Sequence, residues 1–189
     1  MSRRFPPFLP LVLLACVATA SASAFAADYI QAGGSSLVFA GTYQGEVFTG
    51  RFPGFGTKLS FDPRQLAGAK LDVDIPLATA TTANSDYDGE MRGDAFFDAA
   101  RFPQAHYSAT LFRSLGGNRY AAEGTLSLHG ISRRVVFTFT WTPGAQPVLS
   151  GKATIKRLDF GVGGGDWADT SLIPNEIAIS TKVVLAPAK

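Results

Sequence analysis

The chain has 189 residues, with 17 lysines and arginines against 15 acidic residues, so its formal net charge is only +2. This balance excludes the strongly basic surface that nucleic-acid binding requires, and it excludes docking to a membrane by charge alone. Only 17% of the residues are charged, whereas there are 15 phenylalanines and 20 glycines, which favours a single all-β domain with a sizeable core.

The chain begins with the pattern of an export signal. Arg3 and Arg4 form a basic start, an apolar stretch covers residues 8–20, and residues 24–26 supply the small side chains that a signal peptidase needs. We therefore expect a signal peptide over residues 1–26 and a periplasmic mature domain over residues 27–189. Removing the two arginines leaves 17 minus 2, or 15, basic residues against 15 acidic ones, so the mature charge is near zero.

An alternative for the same segment is a lipoprotein signal. Leu13, Leu14 and Ala15 precede Cys16 in the order of a lipobox, which would make Cys16 an acylated first residue. Cys16 is the only cysteine of the chain. If it leaves with the signal, the mature protein has no disulfide, and an oxidising compartment adds nothing to its stability.

Alternation of bulky and polar residues with a period of two indicates about eight strands, which follow one another through short turns. The alternating segments, nine in number, cover residues 37–43, 48–52, 55–61, 70–77, 104–111, 120–128, 135–141, 148–157 and 176–185. The pattern contains no helix long enough for a crossover between parallel strands. It predicts a single antiparallel eight-stranded barrel or a sandwich.

Two strands define the expected inner face. Val135, Phe137, Phe139 and Trp141 alternate with polar residues and form the largest aromatic row, and we expect Tyr107, Ala109 and Leu111 to share a face in the same way. Small residues interrupt these rows and are expected to leave room inside the barrel. They are Gly41, Ala109, Ala122, Gly151 and Ala153.

One stretch breaks the alternation and predicts a short helical lid, which we define as residues 85–103. Ser85 is expected to cap a helix that Gly93 ends. Phe96 and Phe97 are adjacent, so they fit a half-turn that packs both rings inward better than they fit a strand. Pro103 closes the turn before the next strand starts at residue 104.

Four motifs in order resemble the YceI-like family of polyisoprenoid-binding periplasmic proteins. They are GRFPGFGTKLSFDP at residues 50–63, FFDAARFPQAHYSAT at 96–110, GTLSLHGISRRV at 124–135 and RLDFGVGGGDWAD at 157–169. The resemblance implies a lipocalin-like barrel that holds a polyprenyl chain, often that of a ubiquinone-type quinone. It also implies a link to respiration, because relatives are associated with membrane b-type cytochromes.

The chain departs from the family pattern at two places. Residues 31–37, QAGGSSL, lack a histidine that many relatives carry, and Pro174, Asn175 and Glu176 replace a Gly-Asp-Glu turn. Both departures concern the expected headgroup contacts, so they bear on the identity of the ligand more than on the fold.

The expected function is a binding protein that carries or sequesters a polyisoprenoid lipid inside the barrel, with the headgroup near the lid. The expected ligand-binding residues at the interior and the mouth are Phe39, Phe96, Phe97, Tyr107, Phe137, Phe139, Trp141, Phe160 and Trp167. We expect no metal and no cofactor apart from the lipid or quinone itself. The other expected partner is a membrane b-type cytochrome, and the oligomeric state is a monomer or a homodimer.

Two alternatives stay open at this stage. The aromatic residues could fill an ordinary barrel core, in which case the protein is a ligand-free interaction or stress-response module. The protein could instead be an extracytoplasmic enzyme that acts on a small amphiphile through His106 or His129, the only histidines. Neither histidine has a second histidine or a cysteine at metal-ligand spacing. We expect His129 to lie at a hairpin end and to bond to backbone.

Overall fold

The computed structural model describes residues 27–188, so the predicted export signal and Cys16 lie outside the described residues. Within this range, ten antiparallel strands and one α-helix account for the regular structure, apart from three short 3-10 turns. The strands are β1 Ala27–Gln31, β2 Ser36–Tyr43, β3 Glu46–Arg51, β4 Gly56–Phe61, β5 Lys70–Pro76, β6 Gln104–Gly116, β7 Arg119–Leu128, β8 Ile131–Thr142, β9 Val148–Lys156 and β10 Glu176–Pro187. The helix, α1, covers Ser85–Arg92. No helix of these residues is long and apolar enough to cross a membrane.

Eight of the strands close a hydrogen-bonded ring in the order β1-β4-β5-β6-β7-β8-β9-β10, because β1 pairs with both β4 and β10. β1 and β2 pair with different parts of β10: β1 pairs with residues 185–187 and β2 with residues 178–182. β3 pairs with β2 in the same way that β4 pairs with β1. β1 with β2, and β3 with β4, therefore act as two strands interrupted at residues 32–35 and 52–55. The predicted antiparallel eight-stranded barrel is confirmed.

The alternation in β8 produces the expected inner face. Phe137, Phe139 and Trp141 are buried, whereas Thr140 on the other side of the strand is exposed. In β6 the predicted alternation is wrong for one residue. Leu111 was expected to face inward with Tyr107, but its side chain is 57% exposed.

A β-bulge is the reason for this difference. The pairing of β6 with β7 shifts between Ala109 and Leu111, so that Ala109 lies opposite Gly124 and Leu111 opposite Glu123. One extra residue in a strand exchanges the two faces for all residues beyond it. Phe112, and not Leu111, consequently packs against the core.

The predicted lid helix is present, with a different residue at its start. Asn84, and not Ser85, is the N-cap: its side-chain oxygen accepts hydrogen bonds from the backbone N–H groups of Asp86 and Tyr87. Asparagine and serine are both good caps, so residue type alone does not choose between neighbours. Gly93 ends the helix as predicted, and its N–H donates to the carbonyls of the last turn.

The lower end of the barrel, opposite the lid, is filled by an aromatic cluster that we call the floor: Phe61, Phe112, Tyr120, Phe139 and Trp141. The ring of Phe61, 1% exposed, lies 5.1 Å from the rings of Tyr120 and Trp141 and 5.6 Å from that of Phe139, measured between ring centroids. These tilted and edge-on arrangements are the favourable ones for aromatic pairs. The floor therefore closes the interior of the barrel at this end.

The upper end of the wall has two gaps in its strand pairing. β8 pairs with β9 only over residues 138–142, and β3 makes a single bridge, between Arg51 and Thr81, on the side away from β2. The lid covers the gap beside β3. The gap between β8 and β9 is covered by residues 157–175, which we call the closing loop; its Phe160 carbonyl bonds to His129 Nδ1 at the start of β8, at 3.1 Å.

Candidate functional site

An apolar cavity of about 200 Å³ occupies the barrel between the floor and the lid. Inward-facing aliphatic and aromatic side chains from β2 to β10 form its walls. Met91 and Phe96 of the lid, together with Val162 and Ile173 of the closing loop, line its upper end. Such an enclosure favours an apolar ligand, because most polar groups would lose their hydrogen bonds to water inside it.

Aromatic rings line this cavity without filling it, because several of them lie flat over glycines. A side chain on any of these glycines would overlap the ring that covers it. Glycine opposite an aromatic residue thus lets the ring lie against the wall and keeps the centre of the barrel open. The pairs are Phe39 over Gly50, Phe48 over Gly41, Tyr107 over Gly124 and Phe137 over Gly151.

Three of the five small residues expected to leave room do so, in two different ways. Of the five, Ala153 lines the cavity directly. Gly41 and Gly151 act indirectly by accepting the rings above them. Ala109 and Ala122 are buried in the wall and do not line the cavity.

The structure brings together five of the nine residues expected to bind a ligand. Phe139 and Trp141 belong to the floor instead, and Phe160 is 2% exposed in the core but does not line the cavity. Trp167 lies at the upper end, its ring 5.4 Å from that of Phe96 and 6.2 Å from that of Tyr43. The five lining residues are Phe39, Phe96, Phe97, Tyr107 and Phe137. Their role in binding stays a prediction.

Tyr107 presents a ring to the cavity, and its hydroxyl is engaged by the wall. The hydroxyl donates to the carbonyls of Ala122, at 3.0 Å, and Val135, at 3.2 Å. Burial raises the pKa of Tyr107 to about 12, and the nearby Glu123 carboxylate adds to the shift. The phenol therefore stays neutral at physiological pH and is a part of the wall more than a reactive group.

Arg157 organises the closing loop and was not recognised from the sequence. It is 3% exposed, and all five of its N–H groups donate to backbone carbonyls. The accepting carbonyls are those of Pro174, Val162, Gly163, Trp167 and Ile173. Burial lowers the pKa of the guanidinium, but an arginine stays charged in a protein. The glycine-rich stretch of the closing loop is thus wrapped around a buried cation.

The closing loop also holds the lid in place. The N–H of Gly163 donates to the carbonyl of Ala95 in the lid at 2.8 Å. The ring of Phe96 lies against Gly163, where the φ of +64° favours glycine, and against the ring of Trp167. The two segments that cover the upper end are therefore joined to each other as well as to the barrel.

A second anchor of the lid is Asp88 of α1, which is 7% exposed. Its carboxylate accepts from the Thr81 hydroxyl at 2.6 Å and from the N–H and hydroxyl of Thr82 at 2.5 and 2.8 Å. These bonds, that of Thr81 first, hold the pKa of Asp88 below its ordinary value of 3.8. Asp88 therefore docks the helix against residues 81 and 82.

We expect acid to loosen the lid through Asp88. Because the folded pKa is below 3.8, the carboxylate stabilises the folded state fully above that pH, and this contribution is lost as the pH falls through the folded pKa. In Asp88→Asn, amide hydrogen exchange in α1 should be several-fold faster at pH 7, and the difference from the unchanged protein should shrink as the pH falls below 3.8 and through the folded pKa. Asp86→Asn, an exposed change in the same turn, is the control. Equal exchange in all three proteins at pH 7 would contradict the anchor.

Neither histidine faces the cavity. His106 lies on the outer wall with its Nδ1 2.8 Å from Asp74 and its Nε2 3.6 Å from Asp72. His129 is at the turn before β8 and bonds to the Phe160 carbonyl, so the predicted backbone contact is confirmed. Among residues 27–188, no three acidic, histidine or cysteine side chains are grouped to hold a metal ion.

Comparison with known families gives one match that covers most of the chain. The YceI-like domain matches residues 29–185. A UPF0312 protein of Pseudomonas fluorescens is 30% identical over 158 residues, which cover 75% of this chain and 80% of the relative. A UPF0312 protein of Pseudomonas savastanoi is 26% identical over 167 residues, with 82% of this chain and 87% of the relative covered.

Solved structures resemble the barrel over most of its length. BcnA of Burkholderia cenocepacia has a TM-score of 0.77 and 29% identity, and the match covers 79% of this chain and 95% of BcnA. A polyisoprenoid binding domain from Saccharophagus degradans has a TM-score of 0.67, with 86% of this chain and 99% of that domain covered. Its identity is 19%, so the likeness concerns the fold.

Proposed function

Because the chain belongs to the YceI-like family and its barrel encloses an apolar cavity, we propose that it binds a polyisoprenoid lipid in that cavity. The cavity is the observation that carries the proposal. A barrel that served only as a folded module would gain stability from a filled core, since each empty volume costs packing energy. Here the four glycines beneath aromatic rings maintain the opening.

The size of the cavity sets how much of a lipid it encloses. A cavity needs roughly 10 to 15 Å³ of volume to hold one water-sized group. A volume of about 200 Å³ therefore accommodates on the order of fifteen methyl-sized groups, or about three five-carbon isoprene units. At about 0.8 kcal/mol for each buried methylene, they supply on the order of 10 kcal/mol before the costs of association. The remainder of a longer chain has to pass the lid or displace it.

We propose a carrier or a sequestering protein and not an enzyme. The polar groups of the wall support this, since Tyr107 and Arg157 direct their hydrogen bonds to backbone carbonyls and neither histidine faces the cavity. The finer proposals concern the cargo and its setting: a ubiquinone-type quinone as the lipid, export to the periplasm through residues 1–26, and a link to respiration through a membrane b-type cytochrome. They rest on the signal-like sequence and on the family resemblance.

Native mass spectrometry of the protein expressed in bacteria and purified without detergent tests the proposal, together with solvent extraction of whatever is bound. We expect a stoichiometric mass excess that extraction identifies as a polyprenyl lipid. A mass that matches the polypeptide alone, and that persists after incubation with a polyprenyl quinone, would contradict it. The same spectrum gives the oligomeric state and shows whether the chain starts at residue 27 or at an acylated Cys16.

A charge inside the cavity should abolish lipid retention. Phe137→Glu places a carboxylate in an apolar enclosure, where the lining cation Arg157 already donates all five of its N–H groups to backbone carbonyls, so the bound lipid is expected to be lost. Thr140→Glu, on the exposed face of the same strand, is the matched control and should retain the lipid. The measurement is the extracted lipid per protein for variants whose circular dichroism matches that of the unchanged protein. Full lipid content in a folded Phe137→Glu variant would exclude this cavity as the binding site.

A further inference from the structure

Two polar side-chain atoms in the described residues are buried without a hydrogen-bond partner, and they belong to residues on neighbouring strands. They are Oε1 of Gln31 and Oγ1 of Thr57. β1 and β4 pair with Ile30 opposite Lys58, and continuing this register by one residue places Gln31 opposite Thr57. Buried polar atoms nearly always have a partner, so two neighbouring exceptions require an explanation.

The position of these atoms relates them to the cavity. Thr57, 4% exposed, lines the cavity, whereas Leu59 and Phe61 further along β4 do not. Thr57 is thus the last residue of β4 to line the cavity before the floor. Gln31 is its neighbour on β1 and does not itself line the cavity; its amide Nε2 donates to the carbonyl of Phe55, which does, at 2.9 Å. That bond fixes the orientation of the amide, which leaves Oε1 as a free acceptor.

The other polar side chains of the lining have no free hydrogen-bond donor. Tyr107 donates to two carbonyls, and Arg157 uses all five of its N–H groups. The Thr181 hydroxyl donates to the carbonyl of Ser36 at 2.7 Å. Thr57 is therefore the one polar side chain lining the cavity, within residues 27–188, whose hydroxyl remains available to a ligand.

We propose that Gln31 and Thr57 form an inner polar subsite that binds the hydroxyl group of a hydroxyl-bearing lipid. A ligand hydroxyl satisfies both atoms at once, because it donates to Gln31 Oε1 and accepts from the Thr57 hydroxyl. A carbonyl or an ether oxygen only accepts, so it leaves Gln31 Oε1 unpaired, and a hydrocarbon leaves both unpaired. The subsite therefore favours an alcohol or a hydroquinone over a quinone, an ether or a hydrocarbon.

This inference rests on the proposed binding of a lipid in the cavity and adds the direction in which the lipid lies. The hydroxyl end reaches the inner end of the cavity beside the floor, and the apolar tail extends toward the lid. The sequence resemblance suggested the opposite orientation, with the headgroup near the lid. The contribution of the subsite to selectivity is large because an unpaired buried polar group is costly in an apolar surrounding.

The test compares geranylgeraniol with its methyl ether, which lacks the donor, on the protein freed of lipid by extraction and refolding. Titration of intrinsic fluorescence should show that the alcohol binds about tenfold more tightly than the ether. A second pair, a short-chain ubiquinol and the matching ubiquinone, distinguishes the two sources of a hydroxyl: a preference for the ubiquinol identifies a hydroquinone as a ligand, and equal binding restricts the subsite to alcohols.

Thr57→Val removes the hydroxyl and keeps the shape of the side chain. We expect the alcohol and the ether both to lose about tenfold in affinity, because each accepts from this hydroxyl, and the melting temperature to be the same or higher, since an unpaired hydroxyl is removed. Thr181→Val is the matched control: it also lines the cavity, but its hydroxyl is already paired, so the affinity for the alcohol should persist.

Three results would overturn the subsite. The first is equal binding of the alcohol and the ether by the unchanged protein, which needs no variant. The second is an undiminished affinity for the alcohol in Thr57→Val. The third is a crystal structure of the complex in which an ordered water alone bridges the two atoms. If neither the alcohol nor the ether nor the quinone pair binds at all, the proposed lipid binding itself fails, which is a different outcome.

Discussion

Arg157→Met is expected to destabilise the protein by at least about 3 kcal/mol, the larger of the two strongest effects that the structure predicts. Methionine fills a similar volume but donates no hydrogen bond. Five backbone carbonyls of the closing loop would lose their donor, and each buried acceptor without a partner costs about 1 to 3 kcal/mol. The loop covers the gap between β8 and β9 and contacts the lid, so its loss should also expose the cavity.

Urea unfolding followed by circular dichroism measures the loss of stability, and limited proteolysis locates the opening. Arg157→Lys separates charge from geometry: the ammonium keeps the charge but has three donors for five carbonyls, so it should recover only part of the stability. Arg133→Met removes an exposed arginine and should change the free energy of unfolding by less than about 0.5 kcal/mol. An Arg157→Met variant as stable as this control would show that the loop folds without its cation.

Gly50→Ala is expected to reduce lipid binding strongly while costing about 1 to 3 kcal/mol of stability. The added methyl group would overlap the ring of Phe39, and all the nearest atoms are ring atoms, so the ring has to leave the wall and enter the cavity. The strand pairing of the barrel is expected to stay unchanged. The expected measurement is lipid content by extraction, together with the midpoint of thermal unfolding.

Two further variants make this prediction specific. Gly56→Ala, in β4 with no atom within 4 Å of the added methyl group, should leave lipid binding unchanged. Phe39→Leu in the Gly50→Ala background replaces the displaced ring by a smaller side chain and should restore part of the binding, as coupled neighbours do in a double-mutant cycle. If Gly50→Ala alone retained its full lipid content, the flat ring would not be what keeps the cavity open.

The barrel was predictable from the sequence because a period of two decides which side chains share a face. Phe137 and Phe139 were correctly placed on the same inner face of β8. The same period does not indicate where a side chain lies along the barrel axis, between the floor and the lid. Phe137 lines the cavity, whereas Phe139, two residues further along the strand, belongs to the floor, although their rings are stacked 5.7 Å apart.

Two features of the site required the folded chain. Arg157 donates hydrogen bonds to backbone carbonyls, and such bonds cannot be inferred from residue types. The available signal was that Arg157 continues the inward-facing row of Ala153 and Ile155 in β9. The pair of Gln31 and Thr57 depends on the register between β1, which was not predicted as a strand, and β4. Local patterns predict which face of a strand a residue is on and where turns occur, but they do not predict which residues strand pairing brings together.

The ring is closed by the pairing of β1 with β10, the strands nearest the two ends of the described chain. During synthesis these are the first and the last strands to be made, so a chain that is still growing has no means of closing its wall. Contacts of such long sequence separation form slowly and late in folding. A lipid in the cavity is therefore one that met a finished polypeptide, either at the moment of closure or afterwards past the lid. How much cargo the protein carries then depends on where the completed chain folds and on which lipids surround it there.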